Sequence, residues 1–216
     1  MPQQFTIHYA CASLVPERTS HVTAIGVCDT TTKKLTTFSL EDAEKTLGAQ
    51  CDREALEAHL LKAFFDFVAS HSDAVWIHWH MDSVVYGFGV LKERFEMSCG
   101  QGAPEITATL NLPDKIFETM QNHCPEYPKL YQLFQENGIN DHAILTGREE
   151  AASFAAGNYA AIMHSSRAKA KALAALYEKL QDNSLVLSCN RSALKLWAAG
   201  FLIIVSAIVY MLLKGV

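Results

Sequence analysis

The pattern of apolar and polar residues over the first forty positions predicts strands. Phe5 to Ala10 reads F-T-I-H-Y-A, Val22 to Val27 forms a second run, and Leu35 to Leu40 a third. Between the last two, D-T-T-T-K-K (29–34) is a polar turn that joins them as a hairpin. The period then changes. Ser39 with Asp42 three positions on resembles a capping box and opens a short helix over 40–47. Asp52 to Ser70 predicts a longer helix with Leu56, Leu60, Phe64, Phe67 and Val68 along one face. Ala74 to Trp79 returns to strand, and Val84 to Phe95 to helix. Pro104, Pro113, Pro125 and Pro128 cut the next stretch into short pieces, with helices expected over 114–122 and 127–137. From Arg148 the pattern is helical again, broken at Gly157 and Asn158. A long alanine-rich helix from Tyr159 to Leu180 turns Ile162, Leu173, Leu176 and Leu180 inward. Strands followed by alternating helix and strand predict a mixed α/β sheet flanked by helices.

The end of the chain follows no such period. Leu196 to Leu213 carries no charge, and as a helix it reaches about 27 Å, close to the hydrocarbon thickness of a bilayer. Trp197 and Tyr210 stand near its two ends, with Arg191, Lys195 and Lys214 outside them. The expectation is one transmembrane helix over 196–213 in contact with membrane lipid. Met1 to His8 has neither a basic nor an apolar signal region, so the N-terminal portion is expected in the cytoplasm, at a bacterial inner membrane. The organisation predicted is a cytoplasmic ligand-binding domain over 1–183, a juxtamembrane segment over 184–195, and the span.

The formal charge of −5 excludes a protein that coats nucleic acid without specificity, although 164–171 and 190–195 are locally basic. Cys11, Cys28, Cys51, Cys99, Cys124 and Cys189 form no C-x-x-C pair and read as reduced thiols, mostly buried. No zinc spacing, P-loop or nucleophile elbow occurs, and neither a cofactor, a metal site nor a catalytic residue is expected.

Two segments carry candidate chemistry. Residues 76–95 contain Trp76, Trp79, Tyr86 and Phe88 around His78, His80 and Asp82, at a strand-to-helix corner of the kind that lines clefts in α/β folds. The rings would stack a base while His80, Lys92 or Arg94 touches phosphate. The alternative reading places the tryptophans and His78 in the core, with His80 and Asp82 capping the helix. In H-S-S-R-A-K-A-K (164–171), His164, Arg167 and Lys171 share a helix face, with Lys169 to the side. Either that face is simply solvated or it meets an anion.

In layout, residues 5–180 resemble the RNase H-like fold of DEDD-type exonucleases. Y-G-F-G-V-L (86–91) stands where that family carries F-D-x-x-x-L, and H-S-S-R-A-K (164–169) where it carries H-x-x-x-x-D. The family's four acids hold two metal ions, and here they are missing. Phe5 to Ser13 has no carboxylate, Gly87 replaces one aspartate and Lys169 another. The resemblance thus implies a degenerate domain that reads an oligonucleotide or nucleotide without cutting it, through His80, Tyr86, Lys92, Arg94, His164, Arg167, Lys169 and Lys171. Joined to the span, the layout also resembles bacterial anti-phage membrane effectors. That resemblance implies a homo-oligomer whose transmembrane helices conduct ions or disrupt the bilayer on ligand binding. Two alternatives stay open: a membrane-tethered metal-dependent nuclease or phosphodiesterase using Asp82, Glu149 and Glu150, and a tail-anchored protein-binding adaptor.

Overall fold

A computed structural model describes residues 2–13, 20–119, 127 and 129–187. Its centre is a mixed sheet of five strands: β1 (Gln4–Cys11), β2 (Val22–Asp29), β3 (Leu35–Ser39), β4 (Val75–His78) and β5 (Ala108–Asn111). They lie in the order β3-β2-β1-β4-β5. The first three run antiparallel as a meander, whereas β4 and β5 lie parallel to β1. A parallel neighbour needs a crossover. The helices α1 (Leu40–Leu47) and α2 (Arg53–Ser70) supply it between β3 and β4. Every residue of β2 is buried, as a strand covered on both faces must be.

The helices begin where short polar side chains cap them. Ser39 and Asp52 accept from the backbone N–H of Asp42 and Ala55 and open α1 and α2. One layer packs α2 and α3 (Phe88–Cys99) against Phe5, Ile7, Tyr9, Ile25 and Trp76. The other is made by α4 (Leu112–Thr119), α5 (Leu130–Glu136), α6 (Gly147–Ala155) and α7 (Tyr159–Gln181). Leu112, Ile116, Leu133, Phe134, Leu173 and Leu176 form its apolar cluster with Ile77 and Leu187. Here α7 lies almost flat on the sheet. The Thr6 hydroxyl donates to the Ala170 carbonyl at 2.7 Å, and a Cβ on Gly26 would come within 2.3 Å of the Ser166 carbonyl oxygen. Glycine at 26 is therefore a condition of that close approach.

Three expectations shift. The helix predicted over 84–95 begins only at Phe88, because residues 82–87 form a loop closed by a bridge between Asp82 and Gly87. The pieces predicted over 114–122 and 127–137 appear as α4 and α5, displaced by a few residues. β5 is an addition to the expected strands: A-T-L-N alternates, but four residues are too few to mark a strand in the sequence. Cys11, Cys28, Cys51 and Cys99 are free thiols, of which Cys28 alone is buried. No helix among the described residues is long and apolar enough to cross a membrane, and the span expected over 196–213 lies outside them.

Candidate functional site

β1 and β4, parallel neighbours, end at the same edge of the sheet, and a cleft of about 610 Å³ opens there. Carboxyl ends of parallel strands are where α/β sheets leave room for ligands. His8, Tyr9, Ala10 and Cys11 of β1 line it, with Trp79, His80 and Tyr86 after β4, Leu130 and Tyr131 of α5, Gly147, Glu150 and Ala151 of α6, and Lys169 of α7.

The wall carried by Tyr86 is fixed. Its ring stacks on Tyr9 with centroids 4.3 Å apart and planes within 9°, and its hydroxyl donates to the Tyr9 carbonyl at 2.9 Å. The Tyr9 hydroxyl in turn accepts from the Gly87 N–H at 2.8 Å. Burial raises the pKa of both phenols, so they remain neutral at ordinary pH. Opposite them, the Lys169 ammonium donates to Glu150 Oε1 at 2.7 Å and lies 5.9 Å from the centre of the Tyr131 ring. Burial draws the Lys169 pKa down while Glu150 opposes the shift. The capping box of Thr146 and Glu149 sets the start of α6 and so the position of Glu150 one residue on.

His8 and Ala10 lie on β1, the strand whose segment Phe5 to Ser13 carries no carboxylate. His8 Nδ1 is buried and has no hydrogen-bond partner among the described residues. Burial, and then the nearby Lys169 charge, hold the His8 pKa well below its usual value, which keeps the ring neutral. Gly87 has φ +154°, and a Cβ there would fall 2.0 Å from the Met81 carbonyl oxygen. This backbone excludes the aspartate that the motif would require.

Of the eight residues expected to bind ligand, His80, Tyr86 and Lys169 come together in the cleft. His164, Arg167 and Lys171 lie exposed along α7, away from the described lining, while Lys169 turns inward. Lys92 pairs with Glu105 across the α3 surface. Arg94 is buried against Glu57, with His21 and Glu54 beside it, so it is a structural ion pair rather than a ligand contact. Trp79, Tyr131, Glu150 and His8 complete the cleft. The aromatic density near 76–88 and the basic segment 164–171 each point to part of it, but nothing in the local sequence says that α5 and α6 fold over β1.

Three groups bear on metal binding. Two-metal catalysis needs several converging carboxylates. The cleft's described lining offers Glu150 alone, already bonded to Lys169. Asp82, Glu149 and Glu150 form no group of metal-ligating geometry among the described residues. Among the described residues the one cluster with metal-ligating geometry is His21, Glu54 and Glu57, where Arg94 already fills the carboxylates.

His78, at the end of β4, is buried and accepts the Met81 N–H on Nδ1 at 3.1 Å. Burial lowers its pKa to about 4. A depressed histidine favours the folded state fully above the unfolded value of about 6.5, and this contribution is lost as pH falls toward 4. His78→Asn keeps an acceptor near the same place but cannot titrate. We expect the wild-type chain to lose about 2 to 3 kcal/mol more stability than this variant between pH 7 and 4, as read by urea unfolding. Parallel curves would exclude His78 as the source.

The strand order of the mixed sheet and its flanking helices fit an RNase H-like α/β fold. Among solved structures the chain is similar to a family B DNA polymerase from the hyperthermophilic archaeon Pyrobaculum calidifontis, with a TM-score of 0.59 and 12% sequence identity. The likeness covers 84% of this chain and 25% of the polymerase chain, so the chain spans about a quarter of that protein. At this identity it is the fold that is shared. No protein-family model matches the chain, and no curated protein does.

Proposed function

We propose that the domain is a non-hydrolytic reader of a nucleotide or oligonucleotide. In this reading it is coupled through residues 196–213 to an oligomeric membrane assembly in the manner of anti-phage effectors. The observation that carries the binding reading is the composition of the cleft. The rings of Trp79, His80, Tyr86 and Tyr131 line it together with one described carboxylate, Glu150, which a lysine has already engaged. Such a wall stacks planar bases, which contributes about 1 to 3 kcal/mol per base. The cleft's described lining lacks the converging acids that would hold metal ions for cleavage. The apolar run 196–213 supports the membrane half of the reading.

The test is a titration of the full chain, purified in mild detergent, against fluorescein-labelled short oligonucleotides at low salt, with Mg²⁺ or with EDTA. Binding without cleavage is expected in both conditions, weakened about tenfold or more by Tyr131→Ala. Metal-dependent cleavage, or no shift at any concentration, would reject it. Val84 and Val85, 94% and 47% exposed beside the Tyr86 wall, favour the protein-binding adaptor as a second reading. That reading predicts no oligonucleotide binding, so the same titration separates the two.

A further inference from the structure

Glu150 meets the cleft with one oxygen committed and one open. Oε1 accepts from the Lys169 ammonium and the Ser165 hydroxyl, each at 2.7 Å. Ser165 is itself set by the Leu145 N–H, which donates to its Oγ at 3.1 Å. Oε2 has no hydrogen-bond partner among the described residues, and Glu150 is part of the cleft lining. The residue as a whole is 5% exposed. An ionised carboxylate only accepts hydrogen bonds. A ligand group reaching Oε2 must therefore donate. Phosphate there would face Glu150's negative charge, and the cation beside it is already engaged.

We propose that Glu150 is the specificity-determining contact of the cleft, its Oε2 accepting a hydrogen bond from the exocyclic amino group of a bound base. This rests on the nucleotide-reading function above and adds to it an orientation, with base inward and phosphate toward the mouth. It also revises the sequence-based expectation of Lys169 as a direct ligand contact, since Glu150 already engages it. A buried acceptor left without its donor is costly, which is how polar sites reject ligands lacking the matching group.

The probes are two nucleotide pairs that differ only by the amino group: adenosine against purine riboside 5′-monophosphate, and cytidine against 2-pyrimidinone riboside 5′-monophosphate. The full chain should bind at least one amino-bearing member about tenfold or more tighter than its amino-free analogue. Glu150→Gln keeps an oxygen toward Lys169 and Ser165 and turns an NH₂ donor toward the ligand, so the preference should vanish or reverse. A merely structural Glu150 would lower both affinities alike and leave their ratio unchanged. Equal binding of each pair by the wild-type chain overturns the assignment. Should neither amino nucleotide bind while the oligonucleotide titration succeeds, the assignment falls and the reader function stands; failure of both experiments removes both.

Discussion

Replacing Arg94 by leucine is expected to lower stability by about 3 to 5 kcal/mol, the usual cost of leaving a buried charge without its partner. Glu57 is fully buried, and its two oxygens take nearly all their hydrogen bonds from three groups. Arg94 Nε donates to Oε1 at 2.9 Å and its Nη2 to Oε2, the Val22 N–H donates to Oε1 at 2.8 Å, and His21 Nδ1 lies 2.6 Å from Oε2. The cluster thereby ties the start of β2 to α2 and α3. Without the guanidinium, the carboxylate keeps one backbone donor and a histidine in an apolar surround. The double variant Glu57→Gln, Arg94→Leu removes both charges and should recover a large part of the loss. Denaturant unfolding of the three chains checks this. A single-variant effect near 0.5 kcal/mol would mean that the pair behaves as a surface ion pair.

Gly87→Asp should also be severely destabilising, and it should fail as a restoration of the exonuclease motif. The new Cβ meets the Met81 carbonyl oxygen at 2.0 Å, a contact no side-chain rotation relieves, on a backbone with φ +154°. The Gly87 N–H bond to Tyr9, and with it the Tyr9–Tyr86 stack, would be disturbed by any adjustment. We expect a loss of about 3 kcal/mol or more, in the range of other strained or overpacked positions. We also expect no gain in Mn²⁺ binding by calorimetry. A stable variant with new metal affinity would show that the loop accommodates an acid and that the cleft is one substitution from a metal centre.

Much of the fold is legible in the sequence, because the alternation around Ile7, the apolar run around Ile25 and the caps Ser39 and Asp52 act locally. The loop of residues 82–87 was not, although its composition resembles the start of a helix. What decides it is the fit of Tyr86 onto Tyr9, a contact between residues far apart in sequence. The cleft was half legible. Aromatic density marked Trp79, His80 and Tyr86, whereas Tyr131 and Glu150 reach it only through the packing of α5 and α6 on the sheet. Arg94 shows the reverse error: its charge pattern near 92–94 resembles a phosphate contact until burial shows Glu57 beneath it.

Helix α5 touches both ends of the proposed signal. Tyr131, near its start, forms part of the cleft wall, and Asn137, at its C-cap, holds the chain as it leaves the domain. The Asn137 amide donates to the Val186 carbonyl and accepts the Val186 N–H, both at 2.9 Å, as a neighbouring strand would, and Leu187 is then buried beside Leu133 and Phe134. Only about 9 Å of helix separates the two residues along its axis. So short a rod has little room to bend. In the proposed reading, a tilt imposed on it at the cleft would pass to the outgoing chain at Val186 as a lever passes a push to its far arm, ten positions before the apolar run begins at Leu196.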